Sequence, residues 1–208
     1  MSTALTTAVL GTAGFCEQEG ATIAHGLRRR DPELLDRLIE QYQHRLLRYL
    51  LFLTGRQEVA EDLFQETWVR VMERGAQYNG RSRFDTWLFA IARHLVIDAS
   101  RKKSTLSLES FTEPVFGVPM EFAASGPSPH EDSERRELAE SLGRALSRLD
   151  SVQREVVLLR FQEEMSLDEI AEITGAPLST VKSRLYRGLE AMRPVIENDR
   201  AGHKGGAA

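Results

Sequence analysis

Cysteine is nearly missing from this chain of 208 residues; Cys16 is the only one. That excludes an internal disulfide framework and a cysteine-built zinc site, and a cytoplasmic location is expected. Long apolar runs are missing too. The stretch 46–53 is broken by Arg48 and is far shorter than the roughly 20 residues that cross a bilayer. It reads as a buried helix face, with no membrane insertion. No Lys or Arg precedes the small apolar residues 1–15. They lack the positive start of a secretory signal and read as a disordered tail. His25, His44, His94, His130 and His203 are scattered without an HExxH-type pair, and Glu40 with His44 has no second pair. There is no P-loop and no nucleophile motif. No metal, cofactor, catalytic residue or small-molecule substrate is therefore expected, and the chain is not read as an enzyme.

What is present suffices for one ordinary domain or two small ones, with 41% hydrophobic and 28% charged residues. The formal net charge of −4 argues at first against nucleic acid, but its distribution matters more than its sum. Residues 31–80 carry nine acids and six bases, whereas 81–103 carry six bases and two acids. A second basic island, 178–193, holds Lys182, Arg184, Arg187 and Arg193 against Glu190. Two basic islands in an acidic chain suit DNA contacts at two places. Either island alone reads better as an ordinary solvated helix face.

The periodicity predicts an all-α chain with no strand-like alternation. Residues 1–30 show no period and end in Arg28-Arg29-Arg30. Asp31-Pro32-Glu33 then offers an N-cap, a proline at the first helical position and a first-turn acid. Leu34, Leu35, Leu38, Ile39, Tyr42, Leu46, Leu50 and Leu53 follow at helical spacing, and Gly55 ends the run. A second helix is predicted from Glu58 to Arg74, with Val59, Leu63, Phe64, Trp68, Val71 and Met72 inward and Gly75 at its end. Ser82 to Asp85 reads as a capping box. It opens a third helix with Phe84, Trp87, Leu88, Ile91, Ala92, Leu95 and Val96 inward, ending near Lys103. Residues 104–130 hold four of the seven prolines and no Lys or Arg. They read as a flexible acidic linker between two domains, since so long a structureless segment is unusual within one.

Beyond residue 131, Leu138, Leu142, Ala145, Leu146 and Leu149 form a stripe, and Val152, Val156, Leu159 and Phe161 another. Ser166-Leu167-Asp168-Glu169 is a full capping box. Leu167 to Arg187 has the pattern of a helix-turn-helix: small Ala171 for close crossing, Gly175 for the turn, and Val181 and Leu185 to pack the second helix. That last helix is expected to start at Pro177 and close at Pro194. At about 100° per residue, Leu178, Val181, Leu185, Leu189 and Met192 share one side. Ser179, Thr180, Ser183 and Arg187 lie opposite, flanked by Lys182 and Arg184. Such a face suits the major groove, with Arg187 on guanine edges and Ser179, Thr180 and Lys182 on phosphates. The competing reading is a hairpin that packs only with itself.

Tyr78, Phe84 and Trp87 interleave with Asn79, Arg81 and Arg83, a mixture that suits single-stranded nucleic acid. Phe84 and Trp87 fit the core equally well, which leaves Tyr78 as the freer ring. Asp62, Gln65 and Glu66 sit on the outer side of the second helix near Glu58 and Glu61; from the residues alone solvation accounts for that patch better than a basic partner does.

Together these pieces resemble a bacterial RNA polymerase sigma factor of the extracytoplasmic-function (ECF) class. The run 60–69 (AEDLFQETWV) is similar to the family's region 2.2, and 84–93 (FDTWLFAIAR) to regions 2.3 and 2.4. The run 180–188 (TVKSRLYRG) resembles the region 4.2 recognition helix. The resemblance covers about 31–103 and 137–193, with nothing like regions 1.1 or 3. It implies that Asp62, Gln65, Glu66 and Met72 bind core RNA polymerase at the β′ clamp helices, with a second contact at the β flap. It implies that Tyr78, Asn79, Arg81, Arg83, Trp87, Arg93, Arg101 and Lys102 hold the −10 element. Ser179, Thr180, Lys182, Ser183, Arg184 and Arg187 would read the −35 element. Partners are then core polymerase and promoter DNA, with an anti-sigma factor as a further candidate. The implied organisation is a disordered tail over 1–30, region 2 over 31–103, a linker over 104–130, region 4 over 131–195 and a disordered tail over 196–208. The rival reading is a two-domain helix-turn-helix regulator that binds duplex DNA without polymerase.

Overall fold

The computed structural model describes residues 18–106 and 141–204, with side chains over 18–101 and 141–198. Within the described residues every regular element is helical. The chain divides into two compact units. The predictions for residues 1–17 and for nearly all of the linker fall outside the described residues.

The N-terminal unit packs α2 (Pro32–Thr54), α3 (Gln57–Arg74) and α4 (Phe84–Leu106) against one another, with a short 3-10 turn at Gly75–Gln77. Asp31 caps α2 as expected: its Oδ1 accepts from the backbone N–H groups of Glu33 (3.0 Å) and Leu34 (3.3 Å). Gly55 ends α2, its N–H donating to the Leu51 carbonyl at 2.8 Å. Leu34, Leu38, Tyr42, Leu46 and Leu50 are buried, joined by Tyr49. α4 runs three residues past its expected end at Lys103, and it buries Phe89, which stands outside the predicted stripe.

One expectation for α3 needs correction. Met72 is not on the buried stripe; Ala60, Leu63, Thr67, Trp68 and Val71 form the inward face, and Met72 is 47% exposed. Gly75 follows the last helical residue, as expected. Its φ of −53° is right-handed, and the chain tightens into the 3-10 turn.

Residues 18–29 form a helix, α1, where a disordered tail was expected. Ile23, Ala24 and Leu27 are buried; this apolar burial offsets the ordering entropy that a free tail would keep. α1 ends in a Schellman motif: the Asp31 N–H donates to the Gly26 carbonyl (3.1 Å) and the Arg30 N–H to that of Leu27 (3.1 Å). Arg30 takes the left-handed position, with φ of 53°, at a steric cost of about 1 kcal/mol for a residue with a Cβ.

In the C-terminal unit, residues 141–147 are helical (α5), followed by α6 (Ser151–Phe161), α7 (Leu167–Thr174) and α8 (Leu178–Lys204). The buried Arg154 guanidinium closes the end of α5. Its Nε donates to the Leu146 carbonyl (2.9 Å), and Nη2 to those of Leu149 (2.7 Å) and Ser147 (3.4 Å). Burial pushes the Arg154 pKa down, with Asp150 acting the other way. Val152 and Phe161 were expected inward, yet both are exposed, Phe161 by 61%. The face of α6 that meets α8 is instead the one bearing Gln153 and Val157. α8 does not close at Pro194; the proline lies inside a helix that runs to Lys204, into the expected C-terminal tail. A proline there forfeits one backbone bond, and Pro194 is exposed, so water can serve the freed carbonyl.

Candidate nucleic-acid interface

The helix-turn-helix is built from local signals. Ser166 and Glu169 form the reciprocal box: the Ser166 N–H donates to the Glu169 carboxylate (2.7 Å) and the Glu169 N–H to the Ser166 hydroxyl (3.2 Å). Gly175 makes the turn with φ of 64°, a region that side chains disfavour. The Pro177 carbonyl accepts from the N–H groups of Thr180 (2.8 Å) and Val181 (3.1 Å) and so starts α8 one residue later than expected.

α8 then divides into two faces. Val181, Leu185, Gly188 and Met192 are buried, and α8 packs on α6. A methyl on Gly188 would stand 3.1 Å from the Val157 side chain and 3.6 Å from Gln153 Cβ. α8 thus approaches α6 closely at Gly188, while Ala171 on α7 is half-buried. On the other face Ser179, Lys182 and Arg187 are exposed, and Thr180, Ser183 and Arg184 are half-buried. Tyr186, absent from the sequence-derived set, is 69% exposed. At 100° per residue it stands about 140° from Val181, on the same outer face as Ser179 and Lys182. That signal was present in the sequence.

In the N-terminal unit the segment 75–83 connects α3 to α4. Asn79 and Arg81 are exposed, and the Asn79 Oδ1 accepts the Arg81 N–H (2.9 Å), an Asx-turn that shapes the loop. Tyr78 is not a free ring. It is 2% exposed, donates its hydroxyl to the Ser82 carbonyl (2.8 Å), and packs against Phe84 and Trp87 with centroids 5.7 and 5.2 Å away. Trp87 is half-buried.

The capping box expected at Ser82 and Asp85 is absent, because Asp85 has a stronger use. It is 1% exposed and accepts from Arg83 Nη2 (2.7 Å), with Arg45 Nη2 at 3.5 Å and its other oxygen on the Thr86 N–H (2.9 Å). Arg83 is thus engaged within the fold. Arg45 lies over the Tyr42 ring at 5.5 Å. Burial first, and the Asp85 charge second, push the Tyr42 phenol up to about 12. Arg93 is half-buried and Arg101 exposed; the Lys102 side chain lies outside the described residues.

Gly80 holds the loop against α1. Its φ is 75°, and a Cβ on it would stand 2.8 Å from the Gly20 backbone. A Cβ on Gly20 would stand 2.7 Å from the Gly80 carbonyl oxygen, and one on Gly75 would stand 3.0 Å from Leu27 Cβ. α1 therefore touches the connecting segment at both ends.

On the outer face of α3, Asp62, Gln65, Val69 and Met72 are exposed in one stripe at helical spacing. Glu66 beside them is half-buried and ion-paired with Arg70 at 2.9 Å. Among the described residues no helix is long and apolar enough to cross a membrane, and no cluster of His, Cys, Asp and Glu could hold a metal ion.

A family model described as Sigma-70 region 2 matches residues 38–105, and one described as Sigma-70, region 4 matches 139–192. The ECF RNA polymerase sigma factor SigW of Bacillus subtilis (strain 168) is 29% identical over 175 residues, 83% of this chain and 94% of that protein. SigX of the same organism, also an ECF RNA polymerase sigma factor, is 31% identical over 168 residues, 79% of this chain and 84% of that protein. The sigma factor RpoE, solved with the anti-sigma factor NepR from Bartonella quintana, shares the fold at a TM-score of 0.62 and 24% identity. The match covers 78% of this chain and 96% of that one. With both sigma regions in order and this identity to SigX, the chain belongs to the ECF RNA polymerase sigma factors and directs transcription initiation.

Proposed function

We propose that this sigma factor engages core polymerase and the two promoter elements through three separate surfaces. Asp62, Gln65, Glu66 and Met72 on α3, with the exposed Val69, dock on the β′ clamp helices. Carboxylates set among exposed apolar side chains suit a basic helical partner, and Glu66 exchanges its pairing with Arg70 for one across the interface. Asn79, Arg81, Arg83 and Trp87, followed by Arg93, Arg101 and Lys102 along α4, hold the −10 strand, while the buried Tyr78 shapes the loop from within. Ser179, Thr180, Lys182, Ser183, Arg184 and Arg187 meet the −35 element, and Tyr186 joins them. The exposed Phe161 on α6 offers the β flap an apolar contact. Promoter and polymerase place this work in the cytoplasm. An anti-sigma factor, like the NepR bound to RpoE, is a further partner.

The observation that carries this reading is the division of α8, with one face packed on α6 and the other presenting two cations, hydroxyls and one large ring. Arg187 lies near the middle of the outer face and Lys182 at its edge. A base-reading arginine is worth about 1 to 3 kcal/mol and sets preference at one position; a phosphate-bound lysine weakens all sequences alike. Arg187→Ala in holoenzyme should therefore flatten discrimination among −35 variants. Lys182→Ala should keep their ranking and lower the salt slope by about one unit. A preserved ranking with Arg187→Ala and a scrambled one with Lys182→Ala would show that α8 enters the groove the other way round.

A further inference from the structure

Arg28, Arg29 and Arg30 close α1, and all three are exposed, as is Arg74 at the end of α3. Among the described residues, none of the four has an ion-pair or hydrogen-bond partner for its side chain. Leu27 seats on Gly75, so the chain at Arg28, which follows one member of that contact, lies near the chain at Arg74, which precedes the other. Exposed cations with no ion pair among the described residues are available to an external anion.

The backbone supplies a second, independent sign. Arg30 occupies the left-handed position of the Schellman motif, where glycine carries no Cβ penalty. A strained residue that the fold would replace with profit points to a use outside the fold. The Arg30 side chain is exposed, which points to its charge as its use.

We propose that Arg28, Arg29, Arg30 and Arg74 form a phosphate-binding corner that grips the promoter backbone beside the −10 loop. DNA is favoured over an acidic protein because the corner continues the edge of the loop. α1 lies along the connecting segment, from Gly20 on Gly80 to Leu27 on Gly75. From Gly20 to Arg28 the helix rises roughly 12 Å, the span of about three or four nucleotides along a strand. A strand held at Asn79 and Arg81 thus brings its next phosphates to the corner. Guanidinium groups match phosphate oxygens in a bidentate fork. These contacts carry no base information and act on affinity and its salt dependence.

The inference rests on the loop holding the −10 strand, and the test keeps the two apart. The probe is a duplex promoter fragment selected from random DNA by wild-type holoenzyme. Its affinity for holoenzyme is measured across a salt series for the wild type, for Arg30→Gly, and for the triple variant Arg28→Ala, Arg29→Ala, Arg30→Gly. Arg30→Gly should lower the slope of log affinity against log salt by about 0.9, and the triple variant by about two to three. Core affinity should not change. The urea midpoint of Arg30→Gly should match or exceed the wild type, so that a binding loss accompanies no folding loss. An unchanged slope overturns the proposal. So does a drop in core affinity, which would assign the corner to the polymerase, and so does a lower midpoint, which would make Arg30 structural. The loop is read separately by permanganate reactivity of −10 thymines with Asn79→Ala, Arg81→Ala. Normal opening there sinks the loop reading, while the corner stands or falls on the salt slope.

Discussion

Replacing Gly20 with alanine sets two effects against each other. Inside a helix, glycine to alanine ordinarily stabilises by about 1 kcal/mol, because glycine loses more backbone entropy on folding. At Gly20 the new Cβ would stand 2.7 Å from the Gly80 carbonyl oxygen and 3.3 Å from its Cα. Neither group is the yielding end of a side chain, so α1 or the loop must move, and such overpacking costs about 1 to 3 kcal/mol. Moving α1 also loosens Ile23, Ala24 and Leu27. The clash wins, and a net loss of up to about 2 kcal/mol lowers the melting point of a unit this size by up to about 8 to 16 °C. Gly143 is the control: it is helical, and a Cβ there meets nothing within 4 Å, so Gly143→Ala should stabilise by up to about 1 kcal/mol. The assay is built into the chain. Its two tryptophans, Trp68 and Trp87, both lie in the N-terminal unit, so their fluorescence follows that unit, and circular dichroism follows both. Should Gly20→Ala raise the midpoint as Gly143→Ala does, the seating of α1 on the loop is wrong.

Three further outcomes are expected. Tyr42 stays neutral in the fold up to about pH 12, against an ordinary value of 10.0. Its contribution is full below pH 10 and is lost as pH rises toward 12, by up to about 2 kcal/mol; Tyr42→Phe should flatten that part of the urea-stability profile. Arg154→Met removes the donor to the Leu146 and Leu149 carbonyls and should cost about 2 to 4 kcal/mol in the C-terminal unit, read by circular dichroism; a cost under about 1 kcal/mol would show that water replaces the guanidinium. Asp62→Lys should weaken core polymerase binding about tenfold, or 1.4 kcal/mol, and move stability by no more than about 0.5 kcal/mol; intact affinity would remove the docking role of α3.

Signals confined to a few neighbouring residues were legible before the fold was known. Asp31, Gly55, the Ser166–Glu169 box and Gly175 all act within one turn of chain, and each does what its residue type dictates. Features that depend on distant partners were not legible. α1 reads as irregular because Gly20 and Gly26 interrupt a short apolar set, yet both are where other parts of the unit come close: the Gly80 backbone and the Leu34 side chain. Asp85 matches a local cap, but an arginine from α2, forty residues earlier in the chain, helps draw it inward. Tyr78 reads as a stacking ring because its neighbours are polar; Phe84 and Trp87, six and nine residues further on, bury it. Met72 fits the inward period of α3 by spacing alone, and only the placement of α2 and α4 decides which side of the helix is covered.

A net acidic chain binds DNA here because its charge is sorted along rigid elements, and α3 does much of the sorting. Glu58, Glu61 and Asp62 occupy its first turns, and Arg70 and Arg74 its last, where Glu73 pairs with Arg70 at 3.1 Å and leaves Arg74 as the end's basic group. That order suits the helix macrodipole, which favours acids at the amino end and bases at the carboxyl end. The same order separates the proposed polymerase contact from the proposed DNA contact. Asp62 and Arg74 lie roughly 18 Å apart along one rod, so the distance between the two surfaces is set by helix geometry and not by a loop. Gly75 lets the chain turn tightly at the end of that rod, against Leu27, and the arginines of α1 add to its basic end. A charge sum over the chain cancels these two ends, whereas the helix keeps them apart.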